Sequence, residues 1–298
     1  MMKKEIVLLF TVMTMGLTSC LRLDSQLFNS EKLTEYKFES YTGNRELGTL
    51  SANYVVADSM RSLVTFTSNS SEGAAKLYGV YLGKIQNIAT DTVILYCHGN
   101  AKHMDNYWNR AKLLAHVGGK HHYGVLMFDY RGYGMSEGKS SEQNIYADVD
   151  AALKWLQSNG LSSNRLIIYG YSLGSAPSTE VAFGNYSLKP IKLLLEAPFA
   201  SSEVMVQDGS KLALPGSYFT SAKINNADKI KSVKIPFMWM HGTDDSFLSI
   251  KTHGEVVYKN YNGVYGESHR ITGAEHGDLP MIWGYENYIN AVFQFIIK

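Results

Sequence analysis

Only two cysteines, Cys20 and Cys97, occur in 298 residues, too few for a disulfide-built scaffold. Neither sign of charge prevails, with 28 Lys plus Arg against 27 Asp plus Glu. The clustered basic excess of a nucleic-acid binder is therefore missing, and no nucleic-acid partner is expected. The N-terminal apolar run, Ile6 to Leu17, is too short for a comfortable transmembrane helix. Low-complexity tracts and solenoid-period repeats are also missing. His116, His121 and His122 have neither an HExxH pattern nor cysteine partners, which argues against a metal site. What remains is an ordinary globular composition, 45% apolar and 18% charged, in a chain long enough for a large core.

The first twenty residues, "MMKKEIVLLFTVMTMGLTSC", place Lys3 and Lys4 ahead of the apolar run and small residues after it. That is the layout of an export signal. Leu17-Thr18-Ser19-Cys20 resembles a bacterial lipobox, which implies removal of residues 1–19 and lipidation of Cys20. The expectation is a protein of the bacterial cell envelope, tied to a membrane through a lipid anchor at Cys20. Cleavage would leave equal numbers of acidic and basic residues, and Cys97 alone.

Residues 20–50 are polar and aperiodic and read as a tether followed by docking residues. "SLVTFTS" (62–68) and "KLYGVYLGK" (76–84) alternate around "NSSEG" and predict an antiparallel hairpin. Compact apolar runs follow at 92–99, 123–130, 165–172, 191–198 and 236–242, then a shorter one at 268–276. Such runs suit parallel strands buried on both faces. "SEQNIYADVDAALKWLQSNG" (141–160) predicts a helix capped by Ser141 and ended by Gly160, and residues 281–298 predict another. Residues 51–298 are thus one α/β domain, with a mostly parallel sheet, helices on both faces and an N-terminal hairpin.

Ligands of such sheets sit beyond the carboxyl ends of the strands. There the sequence delivers Cys97-His98-Gly99-Asn100, then Ser172, then Asp244 and Asp245, then His276. A serine hydroxyl becomes a useful nucleophile only when a base takes its proton and the resulting oxyanion is stabilised. In "YGYSLGSA", Gly170 and Gly174 flank Ser172 as G-x-S-x-G, removing β-carbons where a sharp strand-to-helix turn would crowd them. The helix opening at Leu173 offers free N–H groups and the positive end of its dipole.

"YCHGNA", "FDYRGYGMSEG", "YGYSLGSA", "EAPF", "IPFMWMHGTDD" and "GAEHGDL", spread over residues 92–279, resemble the α/β-hydrolase superfamily of serine hydrolases. The resemblance is strongest to its Bem46 and ABHD13/ABHD17-like branch. It implies Ser172 as nucleophile, His276 as general base and acid, and Asp245 as the orienting carboxylate. The backbone N–H groups of Asn100 and Leu173 are implied as oxyanion donors. Asp244 is the alternative acid, and the family's H-G-x-x-D form favours Asp245. Glu196 is a more remote candidate, and His253 and His269 compete with His276. His98 and His241 are expected to brace "HG" turns, and Asp129 with Arg131 to fix a loop. The implied reaction is hydrolysis of carboxylic esters or thioesters through an acyl-enzyme, without metal or organic cofactor; peptidase activity and a non-catalytic binding module are the alternatives.

The stretch Ala200 to Lys234 is the expected lid, too short for a separate cap domain. Leu212, Leu214, Tyr218 and Phe219 are the candidates for its apolar wall. The expected partner is a small or lipid-like acyl substrate in an open groove.

Overall fold

The computed structural model describes residues 27–43, 46–210, 216–218 and 220–298. The expected leader and Cys20 lie outside the described residues, as do Leu212, Leu214 and Phe219 of the expected wall. Among the described residues, no helix is long and apolar enough to cross a membrane.

Eight strands form one sheet in the order β1-β2-β4-β3-β5-β6-β7-β8. β1 (Arg61–Ser70) and β2 (Gly73–Leu82) are the predicted hairpin, and β2 runs antiparallel to β4 (Gly124–Phe128). β3 (Val93–Cys97), β4, β5 (Leu166–Tyr171), β6 (Lys192–Glu196), β7 (Phe237–Gly242) and β8 (Gly266–Ile271) are mutually parallel. Strands β3 to β7 are buried along their whole length because successive side chains enter two different cores. Ile94, Tyr96, Met127, Ile167 and Leu194 face one, and Leu95, Phe128, Ile168, Leu195 and Trp239 the other. Burying each such aliphatic side chain contributes about 1.5–3 kcal/mol, so a sheet buried on both faces needs these unbroken apolar runs.

Helix α1 (Met104–Leu114) and the C-terminal helix α8 (Tyr285–Ile297) cover the first face. Helices α2 (Glu142–Ser158) and α3 (Ser175–Phe183) cover the second. The Ser141 hydroxyl caps α2, accepting the Asn144 N–H at 3.2 Å. Between β6 and β7 lie α4 (Ser202–Ser210), a single turn at Gly216–Tyr218 and the short α5 (Asn226–Lys229). Helix α6 (Gly254–Asn260) joins β7 to β8. The predicted single helix over 281–298 is divided, with α7 (Leu279–Trp283) ending at Gly284. Gly284 has φ +88°, a conformation that no helix interior allows.

Within the stretch expected as tether and docking residues, Leu27, Phe38, Leu47 and Leu50 are buried. Phe38 packs on Trp108 with ring centroids 4.8 Å apart, and its N–H donates to Asp105 at 2.8 Å. Backbone bridges also join Ser30 to Lys102 and Lys32 to Gly134. This segment therefore lies along the carboxyl ends of the strands, where the site is.

Candidate active site

Ser172 follows the last residue of β5 and opens a single 3₁₀ turn that leads into α3. Its φ is +51°, a left-handed conformation that an L-serine adopts only at a cost of roughly 1–3 kcal/mol. The flanking glycines account for how close the backbone comes. A Cβ on Gly174 would stand 1.9 Å from the Cys97 carbonyl oxygen, and one on Gly170 2.5 Å from the Gly174 carbonyl oxygen. The residue is buried, only 6% exposed, and lines a cleft that it shares with His276.

His276 Nε2 lies 2.9 Å from Ser172 Oγ, and its Nδ1 lies 2.8 Å from Asp245 Oδ2. A carboxylate can only accept, so Nδ1 carries the ring proton and Nε2 is free to accept from the serine. Asp245 is fixed from its other side by the N–H groups of Phe247 (3.0 Å) and Leu248 (2.7 Å), both on Oδ1. Burial would push this carboxyl up. Hydrogen bonds from His241 and His276, the His276 charge and the Leu248 N–H outweigh it and hold the carboxyl well below the usual carboxylate range.

The competitors are elsewhere. Asp244 is exposed, with Thr243 Oγ1 2.7 Å from its carboxylate. His269 pairs with Glu267 at 2.9 Å, and His253 Nδ1 accepts the Ala200 N–H at 3.1 Å. Burial pulls His253 down to about 4. Glu196 is held in a bidentate pair by Arg110, at 2.9 and 3.1 Å. Cys97 is fully buried, and burial pushes its thiol up to about 12.

Asn100 and Leu173 border the same cleft as Ser172 and His276. The Asn100 side-chain oxygen accepts the Ala101 N–H (2.8 Å), the Asn29 N–H (2.6 Å) and the Tyr133 hydroxyl (2.7 Å). These bonds steady a loop in which Ala101 and Lys102 both have positive φ. The cleft has a volume of about 440 Å³. Its apolar side is built from Leu27, Leu173, Phe199, Met205 and Val206. Tyr218, expected in that wall, is 66% exposed and does not line the cleft. Among the described residues, the wall comes from Leu27 of the N-terminal segment, Leu173, Phe199, and Met205 and Val206 of α4.

Two further expectations are refined. His98 is buried, with Nδ1 2.8 Å from the Gly99 carbonyl oxygen and Nε2 3.1 Å from Asp129 Oδ1. Asp129 and Arg131 each fix a loop, but with different partners. Arg131 pairs with Asp148 at 2.9 Å and reaches back to Ser68 in β1, while Asp129 accepts the Tyr36 hydroxyl at 2.6 Å.

Sequence reasoning missed Glu46, Arg110 and the bond that His241 makes to the acid. His241 Nδ1 lies 3.4 Å from the Trp239 indole N–H, which can only donate, so the proton of this imidazole is on Nε2. That N–H faces Asp245 Oδ2 at 3.1 Å and the Leu248 carbonyl at 2.9 Å.

The chain matches the alpha/beta hydrolase fold family over residues 92–185. It is 31% identical over 206 residues to alpha/beta hydrolase domain-containing protein 17C of Mus musculus, spanning 68% of this chain and 59% of that one. It is 30% identical over 208 residues to protein 17B of Xenopus laevis, spanning 69% of this chain and 66% of the relative. The Caenorhabditis elegans protein aho-3 matches at 32% over 196 residues, 64% of this chain and 54% of its own. The aligned stretch therefore spans less than two thirds of each of these relatives. Among solved structures, the Pyrococcus furiosus esterase Pf2001 superposes with a TM-score of 0.65 at 19% identity, over 86% of this chain and 98% of that one. The Rhodococcus esterase RhEst1 gives 0.56 at 17%, over 80% and 99%. Both show the fold. The curated relatives are proteins of mouse, frog and nematode, and they overturn the bacterial cell-envelope location expected from the leader. The sheet, the elbow and these similarities agree: the chain belongs to the α/β-hydrolases, in the branch of the 17-type domain-containing proteins.

Proposed function

We propose that the protein is a serine hydrolase that cleaves carboxylic esters or thioesters through an acyl-enzyme. The observation that carries this reading is the unbroken relay Ser172–His276–Asp245, at 2.9 and 2.8 Å. His276 Nε2 takes the Ser172 proton as Oγ attacks the acyl carbon. The carbonyl π pair moves onto oxygen, which meets the N–H groups of Asn100 and Leu173. When the tetrahedral intermediate collapses, the bond to the leaving alkoxide or thiolate breaks and His276 returns the proton to it. Water then repeats the two steps on the acyl-serine, releasing the acid and restoring the hydroxyl. Asp245 stays ionised throughout and steadies the imidazolium.

The apolar wall is suited to the acyl chain. Each methylene buried there contributes about 0.8 kcal/mol, close to a fourfold gain, so short- to medium-chain acyl groups should outrun acetyl. The test joins fluorophosphonate labelling to a p-nitrophenyl ester series of rising acyl length. Wild type should label and turn over, while folded Ser172→Ala should do neither. Turnover by folded Ser172→Ala would remove the serine mechanism. Labelling with activity confined to peptide amides would replace esterase by peptidase.

A further inference from the structure

Glu46 belongs to the N-terminal segment, 126 residues before the serine, yet its side chain borders the cleft beside Ser172 and His276. Hydrogen bonds fix the backbone around it. Its N–H donates to the Asn106 carbonyl at 3.3 Å, the Asn109 amide donates to the Gly48 carbonyl, and the Tyr285 hydroxyl donates to the Leu47 carbonyl at 2.9 Å. The carboxylate then makes two contacts, with Arg110 Nη1 at 2.6 Å and the Tyr171 hydroxyl at 3.2 Å.

Both partners lead to the histidine. The Tyr171 hydroxyl is also 3.2 Å from the His276 carbonyl oxygen, so its one proton is shared between that carbonyl and Glu46. Arg110 lies 3.9 Å over the Tyr171 ring, and its Nη2 is 3.3 Å from the Gly277 carbonyl. Tyr171 immediately precedes Ser172. One buried guanidinium and one phenol thus join the nucleophile's strand to the histidine's loop, and Glu46 holds both.

The charges point the same way. Arg110 is fully buried and already has a bidentate partner in Glu196, so the pair needs no second carboxylate for neutrality. Glu46 is the surplus. In its ionised form Glu46 gives this trio one net negative charge, which acts on the imidazole that becomes cationic when Ser172 attacks. Other groups surround Glu46 and His276. Glu196 and Tyr96 come from the strands, Arg110 and Tyr107 from α1, Tyr171 from the end of β5, Asp245 from the β7 loop, and Glu275 and Asp278 from the histidine's own loop. Burial, helped by the nearby Glu196 charge, outweighs the charges of Arg110 and His276 and leaves the Glu46 carboxyl above its ordinary range.

We propose that Glu46 is a positioning residue for His276, acting through Arg110 and Tyr171, and that the N-terminal segment carrying it is part of the catalytic centre. This rests on the serine-hydrolase reading above. Ester turnover against pH tests it in the full chain with Glu46→Gln, Glu46→Asp and Tyr171→Phe. Glu46→Gln keeps the shape and removes the charge. Its kcat should fall about tenfold with KM within about twofold, as expected for a slightly misplaced catalytic group. The acid limb of kcat/KM should move down by about half a pH unit, because the imidazolium loses a favourable charge. Glu46→Asp, which keeps the charge, should leave the limb in place. A folded Glu46→Gln with a wild-type limb and kcat overturns the proposal. If Glu46→Gln does not fold, Tyr171→Phe decides: a several-fold loss of kcat at constant KM supports the link, and wild-type kcat overturns it. Ser172→Ala in the same series separates the two failures, since its turnover bears only on the serine mechanism.

Discussion

His241 Nε2 donates to Oδ2 of Asp245 at 3.1 Å, the same oxygen that receives the His276 ring proton at 2.8 Å. A second imidazole therefore helps keep the carboxylate ionised and aimed. Replacing it by a side chain without a donor should loosen the acid rather than remove it, because the Phe247 and Leu248 N–H groups remain.

His241→Leu is accordingly expected to lower kcat about tenfold with little change in KM, since only the orientation of His276 suffers. Loss of a buried hydrogen bond should also lower stability by about 1–2 kcal/mol. The pH dependence has a definite sign. Asp245 has a depressed folded-state pKa, so its contribution is complete above the unfolded carboxylate value of about 3.9 and fades as pH falls below it. The stability gap between wild type and His241→Leu should therefore narrow below about pH 4. Denaturant melts across pH check this, and a gap that widens in acid would show that His241 acts elsewhere.

The two adjacent aspartates provide a sharper contrast. Asp245→Asn leaves a group that cannot hold His276 in the productive tautomer, and a loss near 10⁴ in kcat is expected by analogy with serine proteases. Asp244→Asn removes an exposed carboxylate whose neighbour is Thr243, so its kcat should stay within about twofold. Steady-state kinetics on one ester suffice. The reverse order would move the acid to Asp244.

The contrast between what the sequence discloses and what it hides has a physical basis. Ser172 and Asp245 are legible because each follows a strand whose apolar run is obvious, and because G-x-S-x-G has a steric cause; His276 follows the polar, half-exposed β8 and is legible mainly through the "GAEHGDL" resemblance. Strands β3 to β7 are legible because burial on both faces leaves almost no polar interruption. Glu46 and Glu196 lie 64 and 86 residues from Arg110 and share no local pattern with it. Helix α1, "MDNYWNRAKLL", is polar in sequence yet every residue in it is buried, because the N-terminal segment covers its outer side. Hydropathy cannot announce such a helix, since its charges are matched by partners rather than by solvent. The divided C-terminal helix is hidden for a smaller reason, that a single glycine is compatible with either outcome.

Ser172 itself stores strain that can be measured. With φ at +51°, alanine at this position keeps the unfavourable conformation while glycine relieves it. Glycine also leaves a more flexible unfolded chain, which offsets part of the gain. Ser172→Gly is expected to be more stable than Ser172→Ala by about 0.5–1 kcal/mol, with both variants inactive. Urea unfolding of the pair reads the difference directly. Ser172→Ala as the more stable of the two would show that the elbow is not strained.

The acyl wall makes the final prediction. Met205, on α4, is half-buried and lines the cleft beside Leu27 and Val206. Met205→Trp puts a larger rigid surface into that space, and its partial exposure lets the ring settle without the full penalty of overpacking a sealed core. An acyl chain lying there should lose room from its far end, so short chains are spared and longer ones excluded. Wild-type kcat/KM is expected to rise about fourfold per methylene until the wall is filled, and the Met205→Trp series should stop rising earlier. A uniform drop across all chain lengths would mean that the introduced indole disturbs the triad instead. An unchanged profile would mean that the acyl chain lies on another side of the cleft.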